Sequence, residues 1–265
     1  SFGGRRSAEL RSELAGPLAV DVMQTALDLT GVDPATLLAW YAEIVAATTA
    51  IADGDHDHPI PTAVQALAGC VRETVDRTSG VLAAAARVLA LAEVVSNTGV
   101  MLFGGLETSE GATANAFVHL LTNPDALEAV RRDPGLIPLA VDESLRLEPS
   151  VVRLDRYAAT DTRLGNADIA AGEFVMLSLA AANRDPAVFP DPDRFDLGRT
   201  NARLHVTFAH GPHTCPGMHL ARIETEQAIA AALDAWPDLR LDPTAPPPRT
   251  LGTIFRKPDV VHVAW

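Results

Sequence analysis

The sequence is poor in cysteine, lysine and aromatic residues. Cys70 and Cys215 are the only two thiols in 265 residues. Two cysteines make no disulfide framework, and they point to a reducing, cytoplasmic setting. Lys257 is the sole lysine, and 21 basic residues stand against 34 acidic ones, a net charge of −13. Such a chain lacks the basic footprint that nucleic acid or an anionic membrane requires, so neither is expected as a partner. The surplus acid serves solubility or a basic partner protein. No uninterrupted apolar run reaches the ~18 residues of a membrane span. The opening SFGGRRSAEL has neither an initiator Met nor an apolar signal core, which reads as a chain entered part-way.

What is present is 48% hydrophobic, enough for one large core or two modest ones. Apolar spacing predicts helices over AELRSELAGPLAVDVMQTALDLTG, with Gly31 as the stop, and from Asp33-Pro34 through DPATLLAWYAEIVAATTAIA. The loop DGDHDHPIP reads as solvated, with a metal site as the less favoured alternative. Ala63 to Asp76 is amphipathic and holds Cys70, expected as a small buried apolar residue. Ala83 to Leu121 is the longest helical stretch. LEAVRRDPGLIPLAVDESLRLEP supplies two more helices. Beyond residue 150 come β-rich runs, Asn/Gly turns, the Pro/Asp-rich loop AVFPDPDRFDLGR, one further helix and a strand-like tail. These elements predict a mainly α chain with small β-sheets, α+β, in one domain over 1–265: helix-rich over 1–150, mixed over 151–265.

Two places carry chemistry. In GGLETSEG two adjacent glycines interrupt a long helix at about 1 kcal/mol each, and something must compensate. In FAHGPHTCPG, Phe208 to Gly217, one thiol is set among glycines, prolines and histidines just before a helix. Three readings of Cys215 compete. A zinc site would recruit His210, His213 and His219, but no common ligand spacing matches. A nucleophile activated by His213 would need an orienting group and an oxyanion hole. A haem thiolate fits the surroundings, because a helix N-terminus favours a buried anion. Gly211 and Gly217 would then permit backbone conformations and close approach that a Cβ would block.

FAHGPHTCPG resembles the haem-binding loop of the cytochrome P450 family, F-G-x-G-x-H/R-x-C-x-G, at Phe208, Gly211, His213, Cys215 and Gly217. Ala209 departs mildly from the usual glycine. FGGLETS resembles the family's central-helix pattern A/G-G-x-D/E-T. There Glu107 and Thr108 form an acid–alcohol pair suited to relaying protons, and Gly104 leaves space beside them. ESLR resembles E-x-x-R, with Glu143 and Arg146 structural and Arg194 expected as their third member. In RLDRYAATD, Arg156 falls where the family has a propionate-binding arginine, and Val152 and Leu154 edge the substrate pocket with Val100 and Phe103. ANRDPAVFPDPDRFD resembles the sheet-to-meander segment.

The resemblance implies a P450-like haem-thiolate fold of the soluble bacterial type. It implies haem b (iron protoporphyrin IX) on Cys215, aided by His213, Arg156, Phe208, Gly104 and Gly217. It also implies a ferredoxin-type electron donor and a monooxygenase acting on a small lipophilic substrate in secondary metabolism. The alternative is a non-catalytic relative that activates a partner enzyme such as a glycosyltransferase. FGGRRSAELR resembles the segment after the family's third major helix. The N-terminal third is thus expected to be absent from this sequence, with a dimer or partner protein covering the surface it would meet.

Overall fold

A computed structural model describes residues 4–29, 31–52, 55, 59 and 61–265. Most of the loop DGDHDHPIP lies outside the described residues. In chain order the elements are β1 (Ser7–Glu9), a π-helical stretch Arg11–Ala15, α1 (Gly16–Ala26), α2 (Pro34–Ala52), α3 (Thr62–Arg77), α4 (Val81–Ala85) and α5 (Leu91–Leu121). They continue with α6 (Pro124–Arg132), α7 (Ile137–Leu147), β2 (Arg153–Tyr157), β3 (Thr162–Leu164), β4 (Ala167–Ile169), β5 (Phe174–Ser178) and α8 (Leu179–Ala182). Last come α9 (Met218–Ala235), β6 (Arg240–Leu241), β7 (Thr250–Leu251), β8 (Lys257–Pro258) and β9 (His262–Ala264). Among the described residues no helix is long and apolar enough to cross a membrane.

Two compact units emerge: a helical one over Leu14–Glu110, and a mixed one formed by Ser1–Glu13 with Gly111–Trp265. The division falls within α5, while the change from helices to strands comes between Leu147 and Arg153.

In the helical unit, Val20, Met23, Leu27, Leu37, Leu67, Val71, Leu82, Val94, Leu102 and Leu106 share one core. The helix predicted to run to Gly31 ends earlier, at Ala26. Asp28 adopts a left-handed φ of 55°, which turns Leu27 and Leu29 into the core, both fully buried. Gln24 secures the turn by donating to the Val32 carbonyl at 2.6 Å. Asp33 opens α2 as expected, its carboxylate accepting from the Thr36 backbone N–H at 3.0 Å.

The stretch from Ala83 is not one helix. The chain breaks between α4 and α5, where Glu93 caps the Ala90 N–H at 2.8 Å. Leu82 and Val94 both enter the same core, whereas one straight helix would hold them about 18 Å apart. Cys70 is half-buried rather than buried, and desolvation raises its thiol pKa.

In the mixed unit, β9 lies between β1 and β6 in an antiparallel sheet. β1 takes up the first two residues of the segment read as helical: Ala8 faces Val263 in register, since pairing with the C-terminal strand outweighs local propensity. β2 pairs with β5, β3 with β4 and β7 with β8. On α5, half-buried His119 meets Ser144 Oγ at 2.8 Å and stacks on Phe195 at 5.5 Å.

Burial, then Arg184 and Arg146, push His119 down to about 4; burial and Arg222 push His205 to about 4. Both are neutral when folded, whereas the unfolded chain takes up protons near 6.5. Their stabilisation is complete above that pH and is lost as pH falls toward 4. Each costs at most on the order of 1 kcal/mol per pH unit. Thermal melts from pH 7 to 4 should show Tm falling over this window, and His119→Asn should flatten the slope.

Candidate functional site

The cysteine loop is shaped by backbone before side chains. The Cys215 N–H donates to the Phe208 carbonyl at 2.9 Å and closes the turn. Ala209 has φ 58° and Gly211 has φ 78°. The left-handed turn suits Gly211, but at Ala209 it costs about 1–2 kcal/mol. The family's glycine at that position thus has a conformational reason. Gly217 needs no such freedom, correcting the expectation: its φ is −85°. A Cβ there would meet Cys215 Sγ at an ordinary 3.8 Å. That proximity puts the sulfur beside the start of α9, and a helix N-terminus stabilises negative charge. Cys215 is half-buried and in no disulfide. Phe208 supports the turn between His205, at 5.7 Å, and the Arg222 guanidinium, also at 5.7 Å. His210, His213 and His219 are exposed, and among the described residues no group of three or more ligating side chains could hold a metal.

Behind the loop lies a buried ion cluster. Arg146 is fully buried and Glu143 is 1% exposed. Arg146 Nε donates to Glu143 Oε2 at 2.7 Å and Nη2 to Oε1 at 2.9 Å. The other Arg146 N–H groups reach the carbonyls of Asn183, Pro192 and Arg194 at 2.9, 2.8 and 3.2 Å. All five guanidinium donors are therefore used. The third member is Arg199, whose Nε donates to Glu143 Oε1 at 2.9 Å. This corrects the assignment of Arg194, which contributes its backbone carbonyl. The meander curls so that position 199 aims its side chain at the carboxylate while position 194 aims its peptide oxygen.

From this cluster the connection to the cysteine loop is continuous. Asn183 donates to Thr207 Oγ1 at 2.9 Å, Thr207 donates to the Leu145 carbonyl at 2.7 Å, and Phe208 follows. Asp142 of α7 also pairs with Arg222 of α9 at 2.6 Å. On β2, Leu154 and Arg156 share one face, and Val152 directly precedes the strand. Arg156 is exposed and donates to the Asp155 carbonyl at 2.8 Å.

The helical unit holds the other predicted residues. Thr108 donates its hydroxyl to the Gly104 carbonyl, one turn back. Tyr41 donates to Glu107 Oε2 at 3.3 Å. Burial and the Glu107 carboxylate push the Tyr41 hydroxyl well above the phenol range, so it remains a donor. A cavity of about 920 Å³ lies between α2, α3 and α5, lined by Trp40, Tyr41, Ile44, Leu67, Arg72, Val95, Gly99, Val100 and Phe103, among others. Glu107 follows Phe103 by one turn on α5, outside the lining, and meets the cavity through its bond from Tyr41. Val152 and Leu154 belong to the mixed unit. Tyr41, Arg72 and Arg199 were missed in the sequence, because nothing in their local spacing distinguishes them.

The paired glycines separate by environment. A Cβ on Gly104 would meet nothing within 4 Å, whereas one on Gly105 would lie 2.2 Å from Met23 Sδ. Gly104→Ala should therefore stabilise the chain by about 0.5–1 kcal/mol. Gly105→Ala should destabilise it, since overpacking costs about 1–3 kcal/mol. Urea melts of both variants check the contrast.

Residues 136–260 match the family model described as Cytochrome P450. Relative to the solved structure of SgvP, involved in the tailoring step of griseoviridin, the TM-score is 0.86 at 30% identity, covering 98% of this chain and 68% of that one. The chain belongs to the cytochrome P450 family. Among curated relatives, this P450 is 43% identical to cytochrome P450 107B1 of Saccharopolyspora erythraea over 56% of its own length and 37% of that protein. It is 34% identical to the cytochrome P450 monooxygenase PikC of Streptomyces venezuelae, over 89% of its own length and 58% of that protein. The chain thus spans only part of the length of the curated relatives it matches. The loop suits the haem-thiolate group that the family implies. Its sulfur is unpaired, half-buried and next to a helix N-terminus, and the backbone before it is turned by two left-handed residues.

Proposed function

We propose that this chain carries the chemistry of a haem-thiolate monooxygenase that inserts one oxygen atom from dioxygen into a small lipophilic substrate in secondary metabolism. The observation that carries the reading is the Phe208–Gly217 loop, with its closing bond from the Cys215 N–H to Phe208. Haem b would supply oxygen activation, with electron density donated by a thiolate ligand. Cys215 would be that ligand. His213 and Arg156, both exposed, would bind its propionates, with Phe208, Gly104 and Gly217 also in the binding set. Val100, Phe103, Gly104, Val152 and Leu154 would contact substrate.

Glu107 and Thr108 would move the protons. Thr108 is held by the Gly104 carbonyl, and Tyr41 steadies Glu107 at 3.3 Å. A hydroxyl so placed can give up a proton and be resupplied by the neighbouring carboxyl group. Electrons would come from a ferredoxin-type donor. The names of PikC, a monooxygenase, and SgvP, a tailoring protein, support this class of activity.

The test is the absorption spectrum of the reduced protein under carbon monoxide. A strongly red-shifted Soret band supports the reading, and no Soret band sinks it in favour of a haem-free partner of another enzyme. Thr108→Ala should keep the band yet lower product formed per electron pair roughly tenfold or more. Unaltered coupling would remove Thr108 from the relay.

A further inference from the structure

The cavity of the helical unit has a single charged side chain in its wall. Its lining from α2 and α5 is apolar apart from Ser96 and the Tyr41 and Trp40 edges, and α3 adds Val64, Leu67, Ala68 and Arg72. No carboxylate lines it. Arg72 is exposed, and among the described residues it makes no ion pair. Arginine can lay its aliphatic stem along an apolar wall and keep its guanidinium at the water boundary. A guanidinium there pairs with a carboxylate through two parallel hydrogen bonds. The volume, about 920 Å³, lies within the roughly 300–1,000 Å³ range of small-molecule sites.

We infer that the cavity selects an amphipathic carboxylate, its apolar body between α2 and α5 and its acid group on Arg72. This names a substrate class for the reaction proposed above and so rests on that reading. An uncharged lipophile would gain nothing from Arg72, whereas a carboxylate gains a charge-assisted bond. Arg72 is thus a specificity-determining residue. It lies outside every motif that carried the family resemblance, and it leaves the proton relay untouched.

The probes are dodecanoate and dodecanol, which differ in the acid group, titrated calorimetrically into the full chain at low ionic strength. Arg72→Gln should raise the Kd for dodecanoate about tenfold and leave dodecanol unchanged. Arg72→Lys should restore part of the loss. Added salt should weaken dodecanoate binding alone. Gly99 lines the cavity and an added Cβ there would meet nothing within 4 Å. Gly99→Phe should therefore fill the site and weaken both probes.

Equal weakening of both probes by Arg72→Gln, or wild-type binding that ignores the acid group, overturns the inference. Calorimetry reads binding without turnover. Arg72-dependent dodecanoate binding in a protein that lacks the thiolate Soret band would sink the proposed reaction and leave the ligand class standing.

Discussion

Cys215→Ser should eliminate the red-shifted Soret band and reduce turnover to background while the chain stays folded. The substitution exchanges one atom. The bonds that shape the loop are backbone bonds, from the Cys215 N–H to Phe208 and from the Thr214 N–H to Gly211, and serine keeps both. Circular dichroism and the melting temperature should therefore change little. What disappears is the soft, electron-rich sulfur beside the α9 N-terminus, and a serine hydroxyl does not replace a thiolate as an iron ligand. Cys70→Ser is the control. Cys70 belongs to the helical unit, so its variant should retain the band. A Cys215→Ser protein with an unchanged spectrum would put the ligand elsewhere and undo the assignment.

Glu143→Ala should cost about 3–5 kcal/mol, because it strands two buried guanidinium groups. Arg146 is fully buried and the Arg199 side chain is 5% exposed, so neither charge can recover its hydration. The Asp196 N–H would lose its acceptor too, now at 3.0 Å from Glu143 Oε1. Against a typical total of about 5–15 kcal/mol, such a loss leaves little folded protein. Glu143→Gln keeps the shape and one acceptor, so it should fall between wild type and alanine. Denaturant melts and the yield of folded protein read both variants. The loss should also reach the cysteine loop, since Arg146 holds the Asn183 carbonyl and Asn183 holds Thr207. Arg194→Ala should do little, because its share in the cluster is a backbone oxygen.

Much of the fold was legible because it is local. The α2 start at Asp33-Pro34, the amphipathic α3 and the helix after the cysteine loop all follow from capping residues and apolar spacing. Errors came where distant partners outweighed local preference. Ala8 pairs with Val263 across the whole chain, and no helical spacing announces that. The break before α5 exists so that Leu82 and Val94 can share a core, which an alanine-rich stretch conceals.

The site divides along the same line. Cys215, Glu107 and Thr108, with the helix and loop that carry them, are set by residues a few positions apart, and short-range sterics and hydrogen bonds make such motifs readable. Arg199 replaced Arg194 because the path of an irregular loop decides which side chain meets Glu143. Gly104 and Gly105 look alike in the sequence and differ only because Met23 packs on one of them. Arg72 acquires its role from the cavity it lines. The sequence alone determined the chemistry available to this protein, since residue type and spacing fix which groups can act together. Tertiary packing decided which carboxylates and guanidiniums are paired and which cavity receives a charge, because those contacts join residues far apart along the chain.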